Sequence, residues 1–525
     1  MQKIMKKTII NIFIAATVIL SVSCKKLLNQ DSLTKLDESE VYANIGLVQT
    51  SLKGVYASWL NNRVDEQGTV LMMGTDETQQ GAYQMKSDAS KGGLDRYDGN
   101  LNSLQGQVTT QWNLRWPLVN EAAKIINGVD KPTLQAGSLE AGIVGEACFI
   151  RGFIDFELAM YWGEIPIRDL SRETQLGLKR QPLKDVWTFI IADLTKAAAF
   201  CPLTNDPGRA TSGAALAMLG KAYMSAPVST GLRDFDKARD CFEKMMGRYT
   251  LVLSYKDLWD YKITNTKEAI LEFQYSPVSP NNNKVQFQIG SRAVQNTFGD
   301  GCYYSGYDKV VPTIHAYETV ANGGIWEDGD QRRDESIRYD FTYYGVTPTL
   351  DIISWEGLGN DFDELKPHIK KYEDFRTDTH SGLGYNNMYN SGKDMPVLRL
   401  GDIKLCYAEC LNELNRTGEA VTIVNQVRAR AWGGTLPSDK MWNAMSQADF
   451  RTNIMDERTR ELFAECWRRI DLIRTGLLVD RVKKYNKWTA QSGTIQAFNT
   501  LYPIPDTELK LNPEITPQDQ NPGYH

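Results

Sequence analysis

Toward the end of the chain, Glu457, Glu461 and Glu465 recur every four residues, with Arg458, Arg460, Arg468 and Arg474 close by. Carboxylates on one helical face could act as acid and base in hydrolysis, above all of a glycosidic bond, which needs only two carboxyl groups. Alternating signs at helical spacing also describe a charge network that fixes a helix against its neighbours, and the block is read as structural. No GxSxG elbow, HExxH zinc site, Walker loop or strand-borne GxGxxG occurs. The four histidines, His315, His368, His380 and His525, lack ligand spacing and are read as surface or loop residues. Cys406 and Cys410 lie one helical turn apart, but no second CxxC or His pair accompanies them. They are read as buried free thiols, as are Cys148, Cys241 and Cys466, and no metal or cofactor is expected.

Binding chemistry is better represented. Tyr83 and Tyr97 lie in one irregular stretch, and Tyr303, Tyr304, Tyr307, Trp326, Tyr343, Tyr344 and Trp355 in another. A flat ring offers an apolar face to the C–H side of a sugar, while neighbouring Asp, Asn and Arg fix the hydroxyls. Two or three of these rings are expected to line a site, the others pinning long loops. Asp76-Glu77, Asp95-Arg96 and Asn281-Asn282-Asn283 are the nearest polar groups, and Asp76 is taken as a ligand candidate.

These residues must be positioned by helices, for strand signals are sparse. Ile143, Ala147, Ile150, Ile154, Leu158 and Tyr161 form one apolar stripe. Leu400, Ile403, Tyr407, Leu411 and Leu414 form another; after Asn415-Arg416-Thr417-Gly418 come Ala420, Val424, Val427 and Ala431, giving a helical hairpin. Leu219-Gly220-x-x-Tyr223 with Ala238-x-x-x-Phe242 resembles the tetratricopeptide pattern. The fold class expected is mostly α, a solenoid-like core of tetratricopeptide-like hairpins, with long irregular insertions carrying the ligand surface. Those insertions run from Gly68 to Gln107 and from about Ser276 to Met395, far beyond ordinary loop length and too aromatic for disorder.

The N-terminus reads as an export signal. Lys3, Lys6 and Lys7 precede an apolar run from Ile9 to Leu20 that is too short to span a bilayer, and small residues lead to Cys24. Ser21-Val22-Ser23-Cys24 resembles the bacterial lipobox, with Leu20 four residues before the cysteine where the motif has it three before. Cys24 is therefore the expected lipidation site, and the competing reading is an ordinary secretion signal. Losing residues 1–23 discards three lysines and no acid, taking the formal charge from −6 to −9, which argues against nucleic acid as a partner. The organisation expected is signal peptide 1–23, lipidated tether 24–30, helical region 31–275 and C-terminal region 276–525, the last two forming one globular unit.

Several blocks, in this order, resemble the SusD/RagB family of outer-membrane lipoproteins of the Bacteroidetes. They are Glu146-Ala147-x-Phe149-x-Arg151-Gly152-Phe153 leading to Tyr161-Trp162-Gly163-Glu164-Ile165-Pro166, Arg399-Leu400-Gly401-Asp402, and Asn425-x-Val427-Arg428-x-Arg430. The most specific runs from Glu457 through Asp471-Leu472-x-Arg474, followed by Tyr502-Pro503-Ile504-Pro505 and Gln520-Asn521-Pro522-Gly523-Tyr524. Cys466 stands where the family usually has glycine, Trp467 where it often has histidine, and Ala123 where asparagine is frequent. Asp330-x-Arg332-Arg333-Asp334 resembles a recurring block expected to hold the insertion together. The resemblance implies a non-catalytic, lipid-anchored protein facing the cell exterior. It would capture oligo- or polysaccharide, or peptide as in the RagB branch, for a SusC-like TonB-dependent outer-membrane transporter. A surface glycoside hydrolase is the reading from another class.

Overall fold

Apolar stripes at helical period need partners, and successive helices supply them. The computed structural model describes residues 38–63, 65–87, 92–169, 177–292, 306–339, 366–377 and 390–524. Cys24, Tyr303, Tyr304, Tyr343, Tyr344, Trp355, His380 and His525 lie outside the described residues. Gln49–His525 form one compact unit and Met1–Val48 another. No helix among the described residues is long and apolar enough to cross a membrane.

Among those residues, the helices of seven or more are α1 (Ile45–Asn61), α2 (Gly106–Val129), α3 (Leu139–Trp162), α4 (Leu183–Phe200), α5 (Ser212–Ser225) and α6 (Phe235–Met246). They continue with α7 (Leu400–Glu413), α8 (Thr417–Ala431), α9 (Gln447–Leu462), α10 (Arg468–Arg474) and α11 (Leu478–Tyr485). From α2 to α8 each packs on the next, and α9 closes on α7, so the fold is a mostly helical stack of hairpins of tetratricopeptide type. Side-chain caps set where helices begin: Ser138 Oγ accepts from the Ala141 amide (3.1 Å), Thr211 Oγ1 from Ala214 (3.2 Å) and Asp234 Oδ1 from Lys237 (2.9 Å). At the hairpin of α5 and α6, a Cβ on Gly220 would fall 2.4 Å from the Phe242 ring, so these helices approach as closely as the repeat pattern requires.

The strands are three antiparallel pairs. β1 (Thr78–Gln80) pairs with β3 (Val310–Pro312), β2 (Ala269–Phe273) with β6 (Met395–Arg399), and β4 (Ile337–Arg338) with β5 (His368–Ile369). The β2–β6 pair brings together the two ends of the longer insertion. The β1–β3 pair joins the shorter irregular stretch to the longer one, although more than 200 residues separate them in the chain.

Buried charge binds the layers. Arg332 donates to Asp330 (2.7 Å), Glu457 (2.8 Å) and Glu461 (3.1 Å), with all four side chains fully buried. Arg399 holds Glu268 at 3.1 Å and Glu465 at 2.8 Å and also contacts Glu461, while Arg430 reaches Glu268 at 2.8 Å and Glu461. Thus α8, β6 and the Asp330 block of the insertion converge on one face of α9. Arg458, on another face, pairs with Asp402 (2.9 Å) and Asp471 (2.8 Å). The turn after α9 places Ala464 at φ 60° and Cys466 at φ 67°. Cys466 thus occupies the left-handed region that favours glycine, the residue usual there in the family the chain resembles.

Candidate functional site

Among the described residues, the β1–β3 pair gathers two candidate rings that remain accessible. Tyr83 follows β1 and is half-buried, with the Arg292 guanidinium 3.2 Å above its ring centroid. Gln84 Nε2 donates to the Tyr307 carbonyl at 2.6 Å, and the Arg292 amide donates to Asp308 at 3.3 Å. Tyr307, 40% exposed, stands edge-on to Phe287 with ring centroids 4.9 Å apart. Two candidate rings from distant parts of the chain are thereby brought to one place with a cation between their loops. An apolar face beside fixed polar groups suits a ligand that is itself amphipathic, such as a sugar.

Three other candidates are corrected by burial. Trp326 is fully buried, its Nε1 donating to the Ala316 carbonyl at 2.6 Å. Tyr97 is 3% exposed and its hydroxyl is shared between the Gly74 carbonyl (2.5 Å) and Arg469 (2.6 Å). Asp76 is fully buried, gripped at both oxygens by Arg468 (2.6 Å) and also by Arg481. None has a face left for a ligand; each pins the loop that carries it. Burial alone would raise the Asp76 carboxyl, yet Arg468 and Arg481 hold it below the usual range. Its neighbour Glu77, which makes no ion pair among the described residues, is pushed up to about 8 by burial. Asp95, accepting from the Gly74 and Gln80 amides and from Asn486, is pushed up to about 6 by burial.

The histidines also depart from expectation. His315 and His368 are buried, not at the surface. His315 stacks on Tyr485 at 3.6 Å between ring centroids, and His368 Nε2 lies 2.7 Å from Asp308, behind Tyr307 in sequence. Asn282 and Asn283 work as loop chemistry, pairing with Asn390 and Ser391 to close the neck of the insertion.

The carboxylate row on α9 is sealed. Burial raises Glu457 and Glu461, but the surrounding arginines outweigh it and hold both carboxyls below the usual range. A general acid needs the opposite shift and access to substrate. Cys406 Sγ sits 3.3 Å from the Arg458 guanidinium, a cation that opposes a metal at that position, and its thiol is pushed up to about 12 by burial.

Arg292, the cation over Tyr83, was not singled out by sequence, since no local pattern marks it; only the pairing of β1 with β3 brings its loop to the ring.

Residues 267–524 match the model described as the SusD family, and residues 33–224 match one described as starch-binding associating with outer membrane. The SusD-like protein P25 of Formosa agariphila is 26% identical, over 96% of this chain and 97% of its own length. The starch-binding protein SusD of Bacteroides thetaiotaomicron is 24% identical over 65% of each chain. A solved structure described as a laminarin binding SusD-like protein shares the fold, with a TM-score of 0.70 at 22% identity, covering 91% of this chain and 99% of that one.

Proposed function

This chain belongs to the SusD family, and we propose that it captures oligo- or polysaccharide at the bacterial outer membrane without transforming it. The observation that carries the reading is that the segment of Tyr83, under Arg292, is tied through Gln84 to Tyr307 where β1 pairs with β3, in a chain similar over 96% of its length to a SusD-like protein. The starch-binding and laminarin-binding relatives support carbohydrate as the ligand class.

The finer parts of the proposal come from the sequence. Lipid on Cys24 anchors the protein with its loops facing outward, and a SusC-like TonB-dependent transporter receives the ligand. Intact-mass analysis of the membrane form tests the anchor, which fails if residue 24 carries no acyl chains. Co-purification from detergent-solubilised membranes tests the transporter.

Retention of the full chain on a panel of immobilised glycans, with a peptide library beside it, tests the ligand class. Retention by at least one glycan, weakened in Tyr307→Ala, is expected. Retention by peptides alone would make the protein a peptide-capturing member, and release of reducing ends would make it a hydrolase.

A further inference from the structure

The strand pair β4–β5, which holds His368 against Asp308, also borders a second concavity. This cavity, of about 320 Å³, lies between the segment around Trp259 and the start of β6. Arg338, Lys370, Lys393, Lys256 and Lys262 all line it.

Two of its three lining acids are paired with cations, and five cations line the same cavity. Glu373 is gripped by Arg338, and Glu335 lies 3.8 Å from Lys370. Asp260 accepts from the Lys262 backbone amide at 2.9 Å. Asp374, behind the wall, is held by Arg376 at 2.6 and 2.7 Å. Lys393 is left with carbonyls: its Nζ donates to Lys371 O (2.6 Å) and Glu373 O (3.1 Å) and makes no ion pair among the described residues. Yet Lys393 is only 7% exposed.

A buried ammonium without a counter-ion is costly, and the cost falls when an anion enters beside it. Lys256 and Lys262, both exposed, add positive potential at the mouth of a chain whose net charge is negative. Such a local excess raises the concentration of an approaching anion. The half-buried ring of Tyr261 gives the same cavity an apolar wall.

We propose that this cavity receives an anionic substituent of the captured glycan, a carboxylate or a sulfate ester, with Lys393 as its counter-ion and Lys256 and Lys262 drawing it in. The proposal rests on the reading of the protein as glycan-binding and narrows the substrate to acidic glycans. A neutral glycan leaves Lys393 as it is; an acidic one completes it.

The test is titration of the full chain with oligogalacturonate, with a sulfated galactan oligosaccharide, and with an uncharged galactan of equal length. Roughly tenfold or greater preference for one charged ligand is expected, falling as salt is raised. Which charged ligand is preferred identifies carboxylate or sulfate. Lys393→Met is expected to abolish the preference, and Lys393→Arg to retain most of it. Because Lys393 also ties two carbonyls, Lys256→Gln with Lys262→Gln provides a surface variant that leaves the core alone. It is expected to weaken acidic binding about threefold or more while sparing the neutral ligand. Equal binding of charged and neutral glycans, or a preference unaffected by these variants, overturns the acidic assignment and leaves glycan capture standing. Binding of no glycan overturns both.

Discussion

Glu461 is one of the points where buried charges meet, with Arg332, Arg399 and Arg430 around one carboxylate. Removing its charge while keeping its shape leaves three guanidiniums short of a partner. Glu461→Gln is expected to cost about 3–5 kcal/mol, read as a loss of midpoint in urea unfolding. Tyr307→Ala, at an exposed ring, is expected to leave that midpoint within about 0.5 kcal/mol while reducing ligand affinity. Trp326→Ala should do the opposite, losing about 3–5 kcal/mol through the cavity it creates. The alternating charges of this region were legible as a structural network because sign and spacing are local properties. Which tyrosines face solvent was not, because Tyr97 and Tyr83 lie in equally irregular sequence. Arg469, 372 residues away in the chain, joins the Gly74 carbonyl in holding the Tyr97 hydroxyl in the interior.

Helices carried most of what the sequence could reveal. Apolar recurrence at helical period marked α3, α7 and α8, and the Gly220 and Phe242 pattern marked α5 against α6, since each signal is written within a few turns of chain. Gly220→Val would drive a branched side chain into the Phe242 ring. It is expected to lower the melting temperature by several degrees, as an overpacked core costs about 1–3 kcal/mol. The strand pairs were not legible. β1 and β3 are three residues each, too short for alternation to register, and their pairing depends on closure of a chain segment more than 200 residues long. The site was half-read for the same reason: its rings were named, but their meeting, and Arg292 above Tyr83, belong to the pairing.

At the scale of the whole molecule, buried carboxyls of two kinds set the response to pH. Asp76, Glu457, Glu461 and Asp471 are held low by arginines that outweigh burial, so their stabilisation is complete above the unfolded range near pH 4 and is lost as pH falls through their folded values. Glu77 and Glu272 are raised by burial to about 8 and about 7, so the folded state keeps protons that the unfolded chain has released. Their contribution is complete below the unfolded value of 4.5 and declines as pH rises to the folded one. The melting temperature is therefore expected to peak around pH 4 to 5 and to decline toward pH 8. Glu77→Gln, fixed in the neutral form, should flatten the decline; an unchanged slope would remove Glu77 from the account.

Capture of a glycan by the surface that β1 and β3 assemble is the central claim, and calorimetric titration of the full chain with the glycans retained on the panel measures it most directly. Saturable binding without consumption of the ligand is expected, with at least a roughly tenfold loss of affinity in the Tyr83→Ala, Tyr307→Ala double variant and its melting temperature preserved. An affinity unchanged by that double variant, or heat from turnover in place of binding, would contradict it.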